Sequence, residues 1–256
     1  MNLLALPAFS DNYIWMFDNG REAAVVDPGD AAPVLEALER KGLALAAILV
    51  THHHPDHVGG VNALRPHLSG PVFGPARERI PEPFEPLHEG QRINVLGLSF
   101  EVLDVPGHTA GHIAYLQRDV DHAAWLFCGD TLFSAGCGRL FEGTPQQMHH
   151  SLGRLAALPG DTQVCCTHEY TLGNLRFAQA VEPGNQRARS HAQHCMAQRE
   201  RGEPTLPSSM ALELEINPFL RCHQPEVVTA ALKQGAASAD AVDVFASLRE
   251  WKNVYR

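Results

Sequence analysis

Up to about residue 165 the apolar positions fall in short runs, each closed by Gly, Pro or Asp, the pattern of buried strands joined by loops. Strands are predicted over Tyr13–Phe17, Ala23–Val26, Ala46–Val50, Val72–Gly74, Leu98–Asp104, Ile113–Gln117, Ala124–Cys128 and Gln163–Cys166. Helical spacing fits between some of them: Ala31–Lys41 with Pro33 in its first turn, His57–Arg65, and Thr144–Ala157. From Asn174 onward the period changes. "NLRFAQAVEP", "NQRARSHAQHCMAQRERGEP", "PEVVTAALKQG" and "SADAVDVFASLREWKN" repeat at helical spacing between Pro and Gly, without β-branched alternation. The pattern predicts a mixed α/β domain followed by a helical one, with the boundary between residues 165 and 175.

Length and composition narrow the setting. With 256 residues the chain buries a sizeable core, as one large domain or one domain with a small appendage. No apolar run approaches the ~20 residues of a membrane span, and "MNLLALPAFSDNYIW" lacks the parts of a signal peptide. The six cysteines form no C-x-x-C pair, which reads as reduced thiols and a cytoplasmic location. A net charge of −9 argues against a nucleic-acid partner, since phosphate backbones are held by clustered cations.

One segment departs from ordinary composition. "ILVTHHHPDHVGG" (Ile48–Gly60) crowds four histidines and an aspartate directly after an apolar run. The polar residues lie at the carboxyl end of a predicted strand, where α/β folds place ligands. His52 and His54 project to one side by alternation, Pro55 bars helix at His54, and Asp56 and His57 open the next helix. Two imidazoles face one cation, and a carboxylate with an imidazole can face a second. Gly59 and Gly60 let that helix pack close to a neighbour. Three later segments repeat the order of strand, glycine or turn, then donor: His108 in "VLDVPGHTAGH", Asp130 in "WLFCGDTLF" and His168 in "VCCTHEY".

Together His52, His54, Asp56, His57, His108, Asp130 and His168 form a nitrogen and carboxylate donor set, with Asp130 able to bridge. Such a set suits two divalent ions, zinc first, with iron or manganese as alternatives. A lone histidine at a strand end is more often a satisfied core or surface residue, but a complete H-x-H-x-D-H run with three spaced partners is hard to reach by accident. His53 faces away by alternation and reads as solvent-exposed, while His112 reads as support for the fold. Asp27 in "VVDPGD" is either a turn aspartate or an acceptor that orients a ligand imidazole. Cys137 has no base nearby in sequence. His191, His194 and Cys195 read as an exposed helical face.

The signature T-H-x-H-x-D-H at Thr51–His57 resembles the metallo-β-lactamase superfamily, which implies an αββα sandwich with a dinuclear metal site at one edge. "FSDNYIW", "VVDPGD", "GDTLFSAGCGRLFEGT", "THEYTLGNLRFA", "NPFLR" and "LREWKN" further resemble the hydroxyacylglutathione hydrolase, or glyoxalase II, family over nearly the whole chain. That resemblance implies a catalytic domain over 1–168 and a small α-helical substrate-binding domain over 169–256. It implies His52, His54 and His108 on one ion, Asp56, His57 and His168 on the other, and Asp130 shared, orienting the attacking hydroxide. Glutathione contacts are implied for Arg139, Tyr170, Arg249 and Lys252, although spacing alone reads the last two as cations at a helix end. Two positions depart from the family: Arg139 stands where many relatives have Lys, and Phe141 where they have Tyr. Arginine keeps the charge in a different geometry, and phenylalanine donates no hydrogen bond.

The implied activity is hydrolysis of S-D-lactoylglutathione to glutathione and D-lactate, the second step of methylglyoxal detoxification, by a cytoplasmic monomer with no membrane or nucleic-acid partner. A pair of cations ~3.5–4 Å apart lowers the pKa of water to ~7, enough to attack a thioester without a protein nucleophile. A mononuclear iron dioxygenase acting on glutathione persulfide shares the sandwich and the histidine run, and is the principal alternative. A nuclease of the same superfamily is disfavoured by the charge, and a purely structural metal by seven donors where a closed site takes four.

Overall fold

The computed structural model describes residues 1–118 and 123–255. They divide into two compact units, the first made of Met1–Asp104, Ala110–Gly129 and Cys165–His168, the second of Val105–Thr109, Asp130–Val164 and Glu169–Arg256.

The first unit begins with β1 (Asn2–Ala8), β2 (Asn12–Asp18) and β3 (Glu22–Val26), an antiparallel meander. Helix α1 (Ala32–Lys41) then crosses to β4 (Ala44–Leu49), which lies parallel to β3. Two short helices, α2 (Pro55–Val58) and α3 (Val61–Leu64), lead to the parallel strands β5 (Val72–Pro75) and β6 (Glu85–Leu87). The second sheet runs antiparallel through β7 (Arg92–Val95), β8 (Leu98–Asp104), β9 (Ile113–Gln117) and β10 (Trp125–Gly129), and continues on β13 (Gln163–Cys166).

Strand β2 shows why the sheets stack. All seven of its residues are buried, so its two faces carry different partners rather than a polar and an apolar side. Phe17 packs on Phe100 and Phe127 of the second sheet at centroid distances of 5.3 and 6.0 Å. Ile14 and Met16, on the opposite face by alternation, join Val34, Ala37 and Leu38 of α1 and Val61 and Leu64 of α3 in one apolar cluster. Helix α1 presents those residues at i, i+3 and i+4, has Pro in its first turn and ends on Gly42 at φ +64°.

The predicted helix His57–Arg65 is a correction: it is broken into α2 and α3 at Gly59–Gly60. The Gly60 N–H donates to Pro28 O at 2.9 Å instead of continuing the helical ladder. A Cβ on Gly60 would stand 2.7 Å from Ala31 N and from Pro28 O, so the close approach predicted for these glycines is a contact with the loop after β3. Strands β1, β6 and β7 were not predicted. The first reads "NLLALPA" without clean alternation, and the other two are short.

The second unit opens with the hairpin β11 (Leu132–Phe133) and β12 (Gly136–Cys137), followed by α4 (Pro145–Ala156). Thr144 and Gln147 form a capping box at the start of α4, with Pro145 at its first position. Gln163 and Val164 of β13 pair with β14 (Ser208–Ser209). The remainder is helical: α5 (Thr171–Val181), α6 (Gln186–Glu200), α7 (Met210–Ile216), α8 (Pro225–Lys233) and α9 (Ala241–Val254). Phe177 of α5 stacks on Phe219 at 5.9 Å, and Phe219 meets Phe245 of α9 at 5.7 Å. Among the described residues no helix is long and apolar enough to cross a membrane.

The fit at Gly60 is testable. Its φ of −83° suits any residue, so Gly60→Ala acts through the steric clash alone. It is expected to lower the unfolding free energy by about 2–3 kcal/mol, read from urea denaturation of the metal-free protein.

Candidate metal centre

In the first unit the donors are placed by strand ends. β3 and β4 are parallel neighbours, so Asp27, just after β3, comes to lie beside Thr51, just after β4. Asp27 is 2% exposed and accepts hydrogen bonds from Thr51 N and Thr51 Oγ1, both at 2.7 Å. The single hydroxyl proton of Thr51 is thereby directed at Asp27, and its oxygen accepts from His52 Nδ1 at 3.1 Å. His52 Nε2 is turned the other way and stands 3.0 Å from His54 Nδ1. His54 is held extended ahead of Pro55, the first residue of α2, as predicted. On that helix, His57 Nδ1 lies 3.0 Å from Asp27 Oδ2 as a close contact, and the two bonds from Thr51 already make Asp27 more than a turn residue.

His168 follows β13, and its Nδ1 lies 2.8 Å from Asp11 Oδ1. Asp56 Oδ2 lies 3.6 Å from His57 Nε2 and 3.5 Å from His168 Nε2. The ligand atoms of Asp56, His57 and His168 all fall within 4.8 Å of one another. A tetrahedral ion with ~2.0–2.1 Å bonds has ligand atoms ~3.3 Å apart, so both this trio and the His52–His54 pair have the edge lengths of a coordination shell. Metal fits these residues.

In the second unit, His108 and Asp130 form a matching pair. His108 Nε2 lies 3.3 Å from Asp130 Oδ2, and its Nδ1 lies 2.9 Å from Arg139 O. With Nδ1 turned to that carbonyl, His108 directs Nε2 toward Asp130. Both residues line a cavity of about 670 Å³ that also holds Arg139, Phe141, Tyr170, Arg249 and Lys252. Phe141, 62% exposed, meets the His108 ring edge-on at 5.3 Å.

The implied glutathione contacts differ in availability. Tyr170 is exposed, whereas Arg249 is only 5% exposed. Its Nη1 donates to Cys137 O at 2.7 Å, and its guanidinium lies 5.2 Å over the Phe219 ring. Arg249 therefore ties α9 to the β12 segment, a task that the spacing of the sequence did not suggest. Lys252 is half-buried, donates to Gly173 O at 3.4 Å and lies 5.4 Å from the centroid of the Phe177 ring. Burial, with the cations of Arg249, Arg176 and Arg139 added, pulls its pKa down to about 8.

The supporting residues were only partly foreseen. His112 is fully buried and stacks on His52 at 4.6 Å, consistent with a role in the fold. His53 is not simply exposed, as alternation predicted: its backbone N–H donates to Glu78 Oε2 at 2.7 Å, and its ring pairs with the same carboxylate. Glu78 also accepts from Gly111 N at 2.9 Å, so one carboxylate pins the His53 and Gly111 loops. Glu78 and Asp11 were missed, because a lone acid in a loop has no distinguishing spacing. Cys137 is buried, which raises its thiol pKa and makes it a poor nucleophile.

This fold with this donor set is that of the metallo-β-lactamase superfamily, whose family model matches residues 8–168. The model for the hydroxyacylglutathione hydrolase C-terminus matches residues 169–255. A hydroxyacylglutathione hydrolase of Albidiferax ferrireducens is 60% identical over the full length of both chains, and one of Pseudomonas fluorescens is 53% identical, also over the whole of both. Among solved structures, TTHA1623 in a di-iron-bound form is 28% identical with a TM-score of 0.60, covering 86% of this chain and 100% of that one. Within the superfamily, the chain belongs to the hydroxyacylglutathione hydrolases, the glyoxalase II family.

Asp27 accepts both hydrogen bonds from Thr51 and lies 3.0 Å from His57 Nδ1. Asp27→Ala is expected to cost the metal-free protein about 3 kcal/mol, because buried donors lose their partner. Urea unfolding of the apo form measures this free of any metal effect.

Proposed function

We propose that the chain hydrolyses S-2-hydroxyacylglutathione, with S-D-lactoylglutathione as substrate, to glutathione and D-lactate, the second step of methylglyoxal detoxification. What carries the reading is the set of imidazoles with an oxygen behind Nδ1, in a chain 60% identical over its full length to a protein of that name. In this proposal His52, His54 and His108 hold one ion, Asp56, His57 and His168 hold the other, and Asp130 is shared. Zinc is the proposed metal, since imidazole with carboxylate and no thiolate suits it, with iron or manganese able to substitute. When bound, such a pair lowers the pKa of water and polarises a carbonyl.

Asp130 then orients the attacking water. The water gives up a proton to solvent, its oxygen bonds to the acyl carbon, the C–S bond breaks, and the glutathione sulfur departs with the bonding pair as a thiolate. Arg139 and Lys252 supply the positive field that an acidic protein needs to receive an anionic peptide. Tyr170 at the cavity mouth offers a hydroxyl and a ring, and Arg249 acts by holding the Cys137–Gly138 backbone in place. The proposal assigns catalysis to residues 1–168 and substrate binding to 169–256, supported by two family models that meet at that boundary. It places a monomer in the cytoplasm, a location supported by six buried cysteine thiols. Relatives at 60% and 52% identity over nearly the full chain carry the hydrolase name, which favours it over a persulfide dioxygenase.

The deciding experiment measures S-D-lactoylglutathione hydrolysis and metal content on one sample. About two ions per chain are expected, with turnover lost on chelation and restored by zinc. A fully loaded protein inert toward this thioester, or one consuming oxygen with glutathione persulfide, overturns the reading.

Lys252 makes the affinity pH-dependent. With its pKa near 8, the ammonium is charged below that pH and neutral above it. KM for the anionic thioester is therefore expected to rise several-fold between pH 7 and 9. Lys252→Arg, which keeps its charge, is expected to flatten that rise, and steady-state profiles of both proteins check it.

A further inference from the structure

The turn between β1 and β2 has no place in the chemistry above, yet its polar side chains point into one half of the donor set. Phe9 takes φ +51°, which turns the chain sharply before Asp11 and Asn12. Asp11 Oδ2 accepts from Ser10 Oγ at 3.0 Å, and Oδ1 lies 2.8 Å from His168 Nδ1. Asn12 pairs with His168 through the backbone, and the neighbouring Tyr13 N donates to Thr167 O at 2.6 Å. Its side chain reaches in the other direction, Nδ2 donating to Asp56 Oδ2 at 3.0 Å. Asn12 is 6% exposed. Among the described residues, these two side chains make their polar contacts with Ser10, His168 and Asp56, and none with His52 or His54.

That selectivity separates the turn from Asp27. Asp27 holds His57 directly and His52 through Thr51, so it bears on both groups of donors. The Asp11–Asn12 turn bears on one. A carboxylate accepting the Nδ1 proton fixes the tautomer of His168 and makes its Nε2 more basic. The Asp56 side chain is 40% exposed, so without the Asn12 amide its carboxylate is free to rotate away.

We propose that Asp11 and Asn12 are positioning residues for a single ion of the pair: they set the affinity of the Asp56–His57–His168 site and leave the His52–His54 site untouched. This rests on the two-ion reading above. The test is a zinc titration of metal-free protein against a chromophoric chelator, resolved into two binding steps. Asp11→Ala is expected to weaken one step by about 10- to 100-fold and to leave the other within about twofold. Asp11→Asn, whose amide oxygen still accepts but carries no charge, and Asn12→Ala are expected to weaken the same step by less. Asp11 sits in a partly exposed turn, and Asp11→Asn preserves its shape, so the comparison does not depend on the alanine variant folding. Two steps unchanged in both Asp11 variants, or both steps weakened equally, overturn the proposal. A wild-type protein with a single step overturns the two-ion reading instead.

Discussion

Imidazoles as crowded as those of His52, His54 and His57, with ring centroids 4.7 and 4.0 Å from that of His52, cannot all carry a proton. Rings this close need groups behind them that fix how each is turned. This requirement organises the first unit. Asp27 arrives on β3, Thr51 on β4 and Asp11 on the β1–β2 turn, each placed behind a ring nitrogen. In the second unit a backbone carbonyl, that of Arg139, does the same for His108. The parallel pairing of β3 with β4 is what brings Asp27 and Thr51 side by side, so sheet topology and donor geometry have one cause.

Much of this was legible in the chain. The interior strands announced themselves as short apolar runs, and β8, β9 and β13 match their predicted spans. The donors were legible because local spacing encodes them: H-x-H puts two rings on one side, and Pro55 keeps His54 extended. The orienting layer was mostly not. Asp11 meets His168 across 157 positions, and although "FSDNYIW" marked the family, nothing in its spacing pointed to that partner. Asp27 was half-legible, since it follows a strand, but its partner could be found only once the strand order was known. The split of the predicted helix at Gly59–Gly60 failed for the same reason, because the N–H that leaves the ladder is captured by a loop distant in sequence.

The C-terminal motifs acquire a physical reading that resemblance alone did not supply. Asn217 of "NPFLR" donates to Phe133 O at 3.1 Å and to Gly136 O at 2.9 Å, across the β11–β12 hairpin. Glu213, fully buried, accepts from Ala135 N in that hairpin at 2.7 Å, and burial pushes its carboxyl pKa up. Arg249 of "LREWKN" grips the next two carbonyls, Cys137 and Gly138. Motifs far along the chain thus clasp one small loop, whose following residue, Arg139, both lines the cavity and holds His108.

That clasp has a practical side. The closing turns of α9 work as a tie-rod, because Arg249 anchors the loop and Trp251 lies 5.1 Å from Phe177 in the helical core. Proteolytic clipping within α9, or a fusion partner that unwinds it, would slacken the backbone carrying Arg139 and so disturb His108 without touching any ligand. Immobilisation is better made through the exposed Met1 end.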